Sequence, residues 1–466
     1  MKKLGSLCLI FCLLMTLALP VAAEEDHSVS RGCHSVDAAR PLAGSEPMTD
    51  TAKAAIIYER TSDTMIYAVN PDEKIYPASM VKLLTALVAL EKGDLEEKVT
   101  VTKRALNQMV PGSASMGLAA GEELTLEQLL YCLMVGSAND AALVIAEHIG
   151  GNQEIFVAML NKKAEELGCT GTHFTNAHGL HEEENYTTAR DICRIADAAL
   201  ENDHFRAMFT AESYTVPATN KSEARTLWTG NHMMSTHTNR IHFDSRVTGG
   251  KTGATDQAGR CLVATAESGG MEIMTVLMGA VPVYSEDGLS VERYGSFEET
   301  RVLLDFAFAN YEFRQIFLPG QVLCQFPVQG GANSVAAGPV DGAMTVLPKV
   351  LEPGALVWQQ ESPALQAPVE AGQRLSTAQV WLGDICLAQT RLQAMHAVGL
   401  QQTLETEKQP ILAEVSTVWK VLIIVGGTVV GLFLLLILAL FTIRMIRRAA
   451  YNAKLRRRSG FRKRSR

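Results

Sequence analysis

A serine and a lysine three residues apart, Ser79 and Lys82, are the first pair in the sequence that could do chemistry. A serine hydroxyl is a weak nucleophile at neutral pH, and an amine kept neutral by burial or by a second cation can take its proton. Pro77 suits a helix start and the apolar residues 83–90 suit a buried helix, so both side chains share one face of the first turn. The pair predicts a nucleophile with its base; the alternative is an ordinary helix start.

A polar interruption divides the second apolar helical pattern, residues 126–149. Residues 135–140 read Val-Gly-Ser-Ala-Asn-Asp, and Gly, Ser, Asn and Asp favour turns over helix interiors. The pattern therefore predicts two buried helices joined by a polar turn. That turn is either a plain interhelical connection or a means of presenting Ser137 and Asn139 to a cleft.

The third motif is Lys251-Thr252-Gly253, which two glycines precede. Residues 261–266 and 271–280 follow as apolar runs separated by Glu-Ser-Gly-Gly, and they predict neighbouring antiparallel strands. The motif then lies on a strand just before the first run. Glycines in a strand let a ligand backbone approach closely, although a plain exposed strand start has the same pattern.

Further patterns supply the elements that must position these motifs. Apolar β-formers at residues 54–58 and 65–69 predict a hairpin. Helical patterns cover residues 153–167 and 296–309, and Thr188 is suited to cap another helix. His178 lies in a glycine-containing loop, residues 176–180, where it is either catalytic or structural.

Length and composition indicate more than one domain. At 466 residues the chain is long enough for two to three, and 47% hydrophobic with 20% charged residues fits globular domains plus membrane segments. All 50 acidic residues lie between the two ends, whereas residues 444–466 hold eleven Lys and Arg and no acid. An acidic body with one basic tail argues against nucleic acid as a partner. No Cys or Cys/His spacing predicts a metal site, and no cofactor is indicated.

The two ends of the chain indicate export and anchoring. Two lysines, an apolar core and Val-Ala-Ala make residues 1–23 a signal peptide. Residues 421–443 carry no charge and are long enough to cross a bilayer, and the basic residues after them should stay in the cytoplasm. The predicted division is signal peptide 1–23, leader 24–50, main domain 51–311, small β-rich domain 316–399, stalk 400–420, transmembrane helix 421–443 and basic cytoplasmic tail 444–466.

Taken together, the three motifs follow the order and rough spacing of the S-x-x-K, S-x-N and K-T-G set of penicillin-recognising serine enzymes. Over residues 54–311 the sequence resembles a low-molecular-weight penicillin-binding protein, a serine-type D-alanyl-D-alanine carboxypeptidase; residues 367–373 resemble the family's C-terminal module more loosely. The resemblance implies an α+β class: a β-lactamase/transpeptidase-like antiparallel sheet flanked by helices. A small all-β domain and one C-terminal transmembrane helix complete the predicted architecture.

The resemblance also implies roles. Ser79 would be the acylated nucleophile, Lys82 its base, and Ser137 the relay that passes a proton to the leaving D-alanine. The resemblance places an oxyanion site at the backbone N–H groups of Ser79 and Ala254. The implied substrate-binding residues are Asn139 for the amide, Lys251 and Thr252 for the carboxylate, Gly253 and Ala254 at the strand edge, and Arg240 as a weaker carboxylate candidate.

The implied function is removal of the terminal D-alanine from peptidoglycan stem peptides, with β-lactam antibiotics as covalent inhibitors. A transpeptidase or endopeptidase on the same site, or a non-catalytic penicillin-binding sensor, are the alternatives. A β-lactamase is disfavoured because no E-x-x-L-N follows the S-x-N motif. The sequence departs from the family at Ala254, where many members carry a larger residue, and in ending with a spanning helix in place of an amphipathic one.

Overall fold

The computed structural model describes residues 41–43, 49–237, 240–287, 291–401 and 411–460, with side chains in the last segment described from 417 to 452. The predicted signal peptide, most of the predicted leader and the end of the basic tail lie outside these residues. The described chain up to Leu400 forms one compact unit, and the residues from Gln401 onward form a second.

The helices begin and end close to the predicted positions. The predicted interruption at residues 135–140 is confirmed, since one helix ends at Met134 and the next begins at Asn139. Thr188 caps a helix as predicted, because its side chain accepts a hydrogen bond from the Asp191 N–H. In chain order the helices are α1 Val81–Lys92, α2 Lys103–Leu106, α3 Leu126–Met134, α4 Asn139–Gly150, α5 Gln153–Glu166, α6 Ala189–Leu200, α7 Asp203–Phe209, α8 Ser296–Asn310 and α9 Ile411–Gly460.

Half of the described strands belong to two five-stranded sheets, and the others form two-stranded pairs. The first sheet has the order β2-β1-β9-β8-β7 and the second the order β13-β15-β20-β19-β17. The strands are β1 Ala54–Glu59, β2 Thr64–Val69, β3 Lys98–Thr100, β4 Glu123–Thr125, β5 Ser213–Val216, β6 Arg225–Trp228, β7 Val247–Thr255, β8 Gly259–Ser268, β9 Met271–Ala280, β10 Val283–Tyr284, β11 Val291–Arg293, β12 Tyr311–Phe317, β13 Cys324–Phe326, β14 Val328–Gln329, β15 Val335–Pro339, β16 Ala343–Pro348, β17 Leu356–Gln360, β18 Leu365–Gln366, β19 Arg374–Leu382 and β20 Ile385–Ala394.

The first sheet is antiparallel and buried on both faces. Along β1, Ala54, Ile56 and Tyr58 contribute to one apolar core, while Ala55 and Ile57 contribute to another. Alternate residues of a strand point to opposite faces, so an unbroken apolar run fits a strand that is covered on both sides. Helix α6 lies against β1 and β9 on one side, and α8 lies against β8 and β9 on the other. This α+β arrangement of an antiparallel sheet flanked by helices confirms the predicted fold class.

The β-rich part after α8 has a core of its own, which includes Phe317, Val335, Val380 and Leu392. Residues 379–390, a β-prone run in the sequence, do not form a single strand. The chain turns at Gly383, whose φ is +62°, so the run is the hairpin of β19 and β20. Glycine adopts this left-handed conformation without the steric penalty that a β-carbon brings.

Backbone pairing extends beyond both predicted limits of the main domain. Leu42 and Ala43 donate to the carbonyls of Met65 and Ile66, so the end of the predicted leader lies beside β2. Strand β12 starts at Tyr311, the last residue of the predicted main domain, and pairs with β16 of the β-rich part. The division into domains stays a prediction.

The second unit contains α9. Its segment Thr417–Asn452 is long and apolar enough to cross a membrane by length and composition. The segment includes the predicted transmembrane residues 421–443 and continues past both ends of them. At 1.5 Å per residue, those 23 residues alone match the roughly 30 Å of a bilayer's hydrocarbon core.

Helix α3, which leads to the polar turn, begins at a capping box. The Thr125 side chain accepts from the Gln128 N–H at 3.2 Å, and the Gln128 side chain accepts from the Thr125 N–H at 3.0 Å. We expect Thr125→Ala to lower the free energy of unfolding by about 1 kcal/mol, measured by urea titration of the full chain in detergent. Thr125→Ser, which keeps the oxygen, serves as the control. Equal urea midpoints for the two variants would show that the cap does not stabilise the helix.

Candidate active site

Ser79 lies in a single 3₁₀ turn, Ala78–Met80, directly before α1. Its side chain is half-buried. The preceding residue, Ala78, has a φ of +47°, a conformation that residues with a β-carbon seldom adopt. Such strain persists only where the surrounding structure holds the backbone in place, and it is common at active sites.

Residues 176–180, referred to below as the glycine loop, hold the backbone on either side of Ser79. Gly179 has a φ of +87°, and a β-carbon built on it would lie 1.7 Å from the carbonyl oxygen of Ala78 and 3.0 Å from the nitrogen of Ser79. The loop therefore packs directly against the peptide that joins Ala78 to Ser79, which only a residue without a side chain allows. The carbonyl of Ala177 in the same loop accepts from the Thr85 hydroxyl of α1 at 2.8 Å.

Lys82 follows one turn later and is completely buried. Its Nζ lies 3.0 Å from the Oγ of Ser79, which is the contact that the three-residue spacing predicts. The same nitrogen donates to the Oδ1 of Asn139 at 2.6 Å and to the backbone carbonyl of Ser137 at 2.8 Å. It also lies 3.3 Å from the Ser137 Oγ. Lys82 thus joins the first motif to the second.

The polar turn between α3 and α4 has a fixed shape. Ser137 has a φ of +52°, so the backbone reverses sharply at this residue. The N–H of Ala138 donates to the Cys132 carbonyl at 3.1 Å, and the N–H of Asn139 donates to the Ala114 carbonyl at 2.8 Å. These bonds tie the turn to α3 on one side and to the preceding loop on the other, and they set the Ser137 side chain beside Lys82.

Strand β7 brings the third motif to the same place. The Lys251 Nζ donates to the Ser137 Oγ at 2.9 Å and to the Thr252 carbonyl at 2.9 Å. A β-carbon on Gly253 would lie 2.9 Å from the nitrogen of Ser79, so the missing side chain lets the strand pass against the serine turn. Two lysines from distant parts of the chain therefore share the hydroxyl of Ser137.

Burial sets the charge of the two lysines. Loss of hydration lowers the pKa of Lys82 well below its usual value, and the neighbouring Lys251 lowers it further, while Asp140 acts in the opposite direction. Burial lowers the pKa of Lys251 to about 7. Two ammonium groups around one buried hydroxyl would repel each other. The favoured state is therefore the one in which only one of the two lysines is protonated. Because the charge of Lys251 also lowers the pKa of Lys82, the shifts favour Lys82 as the neutral amine.

Asp140 organises the loop that faces the polar turn. Its carboxylate accepts from the hydroxyl of Ser115 at 2.5 Å and from the N–H groups of Met116, Gly117 and Leu118 at 3.0 to 3.2 Å. It is almost fully buried, and such a carboxylate needs this number of donors. The bonds fix the loop whose Ala114 carbonyl receives the Asn139 N–H.

A segment just after β6 packs against strand β7 beside the third motif. A β-carbon on Gly250 would lie 2.3 Å from the Nδ2 of Asn231, and one on Gly230 would lie 2.8 Å from the Oγ1 of Thr252. Asn231 is fully buried, and its Oδ1 accepts from the Met233 N–H at 3.1 Å. Gly230 and Asn231 therefore pack against β7 at Gly250 and Thr252. Thr252 is part-exposed and Ala254 is exposed.

The structure brings together most, but not all, of the residues that the sequence singled out. Ser79, Lys82, Ser137, Asn139 and Lys251 are linked by direct hydrogen bonds, with Thr252, Gly253 and Ala254 on the adjoining strand. Arg240 is exposed, and within the described chain no hydrogen bond or ion pair joins it to this cluster.

His178 takes a structural part in the glycine loop. It is buried, and its Nδ1 accepts from the Leu180 N–H at 3.1 Å. Burial, and then Lys82, lower its pKa to about 4, so the ring is neutral at neutral pH.

Among the described residues no group of His, Cys, Asp and Glu could hold a metal ion, and no disulfide joins the described cysteines.

The sequence analysis did not identify four residues that contribute to the site. Asp140 was treated only as a turn-forming residue, and Gly179 only as part of a loop that contains a histidine. Gly230 and Asn231 were not singled out at all. The sequence does hold one signal for these residues: Gly179 follows His178, and Gly230 precedes Asn231. A glycine often marks a close approach of two backbones.

Comparison with known proteins gives a consistent result. Residues 42–281 match the model of the Peptidase S11 family, described as D-alanyl-D-alanine carboxypeptidase. The chain is 31% identical to the D-alanyl-D-alanine carboxypeptidase DacF of Bacillus subtilis over 386 residues, covering 81% of this chain and 90% of that protein. Among solved structures it is similar to penicillin binding protein 5 of Haemophilus influenzae, at a TM-score of 0.60 and 30% identity over 76% of this chain and 99% of that one. It is also similar to a DD-transpeptidase of Streptomyces K15, at a TM-score of 0.50 and 27% identity, covering 57% and 100%.

The close contact at Gly179 predicts that adding one methyl group there strongly slows the reaction of Ser79. We expect Gly179→Ala to slow the reaction of Ser79 with a fluorophosphonate probe by about 100-fold, since a displacement of about 1 Å in a reacting group has an effect of that size. The added carbon would overlap the carbonyl of Ala78.

Gly168→Ala is the matched control. Its φ of +75° gives the same backbone strain, but no atom lies within 4 Å of the added carbon. We expect this variant to react at the wild-type rate, and thermal unfolding of both variants checks that they fold. Wild-type reactivity in Gly179→Ala would mean that the loop does not position the serine.

Proposed function

Because the chain belongs to the D-alanyl-D-alanine carboxypeptidase family, we propose that Ser79 is the residue that becomes acylated. The protein is a serine-type carboxypeptidase that removes the terminal D-alanine from peptidoglycan stem peptides, and β-lactams bind it covalently at the same serine. The observation that carries the assignment of Ser79 is the 3.0 Å contact between its Oγ and the Nζ of the buried Lys82.

Acylation follows from the contacts of the two lysines. Neutral Lys82 accepts the proton of the Ser79 hydroxyl as the Oγ attacks the carbonyl carbon of the penultimate D-alanine. The carbon–nitrogen bond to the terminal D-alanine then breaks. Ser137, whose Oγ lies within 3.3 Å of Lys82 and 2.9 Å of Lys251, passes a proton to the leaving amine. Water attacks the ester in the second half of the reaction, and Ser79 regains its proton.

Recognition of the substrate uses the remaining residues of the cluster. Lys251 and the Thr252 hydroxyl bind the terminal carboxylate, and the Asn139 side chain holds the amide of the peptide. The N–H groups of Ser79 and Ala254 receive the oxyanion, where one such donor typically lowers the barrier by about 3 kcal/mol. The close passage of β7 at Gly253 supports this pairing, because it brings the strand against the Ser79 nitrogen. Arg240 is retained only as a secondary candidate for the carboxylate.

A DD-transpeptidase activity is the second candidate. It would use the same acyl-enzyme and differ only in the acceptor, an amine in place of water. The similarity to the DD-transpeptidase of Streptomyces K15 favours keeping it. A penicillin-binding sensor without turnover would keep the acylation step and lose the hydrolysis.

The apolar C-terminal helix and the basic residues after it support a proposal for the protein's location. The apolar segment of α9 is a candidate membrane anchor. We infer that residues 421–443 cross the bacterial cell membrane once, that the basic tail stays in the cytoplasm and touches anionic lipid, and that residues 51–311 act outside the cytoplasm as the catalytic domain. The acidic body is unsuited to nucleic acid.

The direct test uses the full chain in detergent with a pentapeptide that ends in D-Ala-D-Ala. We expect release of D-alanine, reduced more than about 10⁴-fold in Ser79→Ala because nucleophile and base act as a unit. Ser268→Ala, an exposed serine at the end of β8, is the control.

Three outcomes are distinguishable in this assay. Release that does not depend on Ser79 would refute the mechanism. Covalent labelling by a fluorescent penicillin without release of D-alanine would favour the sensor. Products joined to an added D-amino acid, in place of free tetrapeptide, would favour the transpeptidase.

The influence of Lys251 on Lys82 predicts the pH dependence of acylation. Neutral Lys82 is the base, so the rate of acylation by a fluorescent penicillin should rise as pH passes upward through the pKa of Lys82. The positive charge of Lys251 lowers that pKa. Removing the charge in Lys251→Gln should raise the pKa of Lys82, and the rise in rate should move to higher pH.

Lys251→Arg keeps the charge and is the control for this experiment. Its acylation rate is expected to rise over the same pH range as in the wild type, whatever its absolute rate. A midpoint that does not move in Lys251→Gln would exclude electrostatic coupling between the two lysines.

A further inference from the structure

Gly230 lies directly beside the Thr252 hydroxyl of the third motif. A β-carbon built on Gly230 would lie 2.8 Å from the Oγ1 of Thr252 and 4.0 Å from its Cβ, and apart from its chain neighbours no other described atom lies within 4 Å. The backbone of Gly230 is outside the left-handed region, so its conformation does not require glycine. The Thr252 side chain is therefore the one neighbour that a larger residue at this position would meet.

The hydroxyl of Thr252 is free to bind a ligand. The side chain is part-exposed, and among the described residues the hydroxyl has no hydrogen-bond partner, whereas the Thr252 carbonyl accepts from the Lys251 Nζ at 2.9 Å. The direction of the hydroxyl is set by rotation about χ1, for which threonine has few favourable positions. An added carbon beside Oγ1 would thus turn the hydroxyl into another rotamer.

The backbone at Gly230 is held in place, because hydrogen bonds fix the residues on either side of it. The Thr229 N–H donates to the Glu212 carbonyl at 2.9 Å, and the Asn231 N–H donates to the Thr229 hydroxyl at 3.2 Å. Thr229 and Asn231 are both buried. Of the two partners in the contact, the Thr252 side chain is therefore the one that can move.

Strands β5 and β6 connect this segment to the polar turn. They form an antiparallel pair, and Leu227 of β6 lies against Gly136, where a β-carbon would be 3.4 Å from the leucine Cδ1. Tyr214 of β5 stacks on Tyr131 of α3, with ring centroids 3.9 Å apart. One strand pair therefore holds the segment that contains Gly230 and rests on the turn that carries the second motif.

We propose that Gly230 is a positioning residue for substrate binding: its missing side chain keeps the Thr252 hydroxyl in the rotamer that binds the terminal carboxylate. The inference rests on the proposed function, in which Lys251 and Thr252 receive that carboxylate. Gly230 acts only through Thr252, so it affects the binding of a carboxylate and leaves the reactivity of Ser79 unchanged.

The test compares two reactions of the full chain in detergent. One is the release of D-alanine from a pentapeptide that ends in D-Ala-D-Ala; the other is the reaction of Ser79 with a fluorophosphonate probe, which has no carboxylate. We expect Gly230→Ala to lower kcat/KM for the peptide by about tenfold, mainly through KM, since one hydrogen bond to a charged group contributes about that much. The fluorophosphonate rate should stay at the wild-type value.

A double-mutant cycle with Thr252→Ala separates this role from a structural one. Without the hydroxyl, the added carbon has no oxygen to displace, so Gly230→Ala should have no further effect in the Thr252→Ala background. Damage to the fold would instead lower the activity by the same factor in both backgrounds.

Gly399→Ala is the matched control. This glycine is also outside the left-handed region, and no described atom lies within 4 Å of the added carbon, so the wild-type kcat/KM is expected. An unchanged kcat/KM in Gly230→Ala, an equal loss with the fluorophosphonate probe, or a tenfold loss that persists with Thr252→Ala would each overturn the inference alone. Failure of the wild type to release D-alanine would instead overturn the proposed function.

Discussion

Two lysines that share one buried hydroxyl impose the constraint on which the rest of this structure depends. The Ser137 Oγ lies 3.3 Å from the Nζ of Lys82 and 2.9 Å from that of Lys251. In water both amines would be charged, and neither could take a proton from Ser79. Burial lowers both pKa values, and the charge of Lys251 lowers that of Lys82 further. The fold must therefore enclose the pair completely and keep donors and acceptors matched around it. Three elements surround the pair: the polar turn, the loop held by Asp140 and strand β7.

Close approach of backbones is the second requirement, and it explains where glycine and strained residues occur. The serine turn is held between the glycine loop on one side and β7 on the other, at Gly179 and Gly253, where a β-carbon would collide with its backbone. Ala78, next to Ser79 in the chain, and Ser137, which contacts Lys82, have positive φ angles. These conformations are unfavourable locally, and they persist because tertiary packing leaves the backbone no alternative. Rigid positioning of the nucleophile is what that packing provides.

The sequence was informative about elements and motifs and much less so about contacts between them. Hydrophobic periodicity located β1, β2, α1 and the helices on either side of Ser137, because each pattern is set by neighbours in the chain. Within the predicted β-rich domain 316–399 the strands were not placed individually; in the hairpin of β19 and β20, for example, only Gly383 marks the turn. Asp140 and Gly179 could not be assigned from their neighbours in sequence, since their partners are a loop 22 to 25 residues away and a turn 100 residues away. Hydrophobic periodicity could not show that the three motifs meet in one site. Their order, which matches that of the penicillin-recognising serine enzymes, predicted it.

The same geometry bears on how the acyl-enzyme is hydrolysed. Asp140 is the carboxylate next to Asn139, but the hydroxyl of Ser115 and four backbone N–H groups already donate to its two oxygens. It is therefore held as a structural anion and is not available to activate water. In the proposed mechanism Lys82 returns its proton to the leaving amine when acylation ends, so it would again be a neutral base beside the ester on Ser79. One amine can then serve both halves of the reaction, provided that the departed D-alanine leaves space for water. A β-lactam does not leave that space, because its ring-opened leaving group stays attached to the acyl chain, and the covalent complex should persist for that reason.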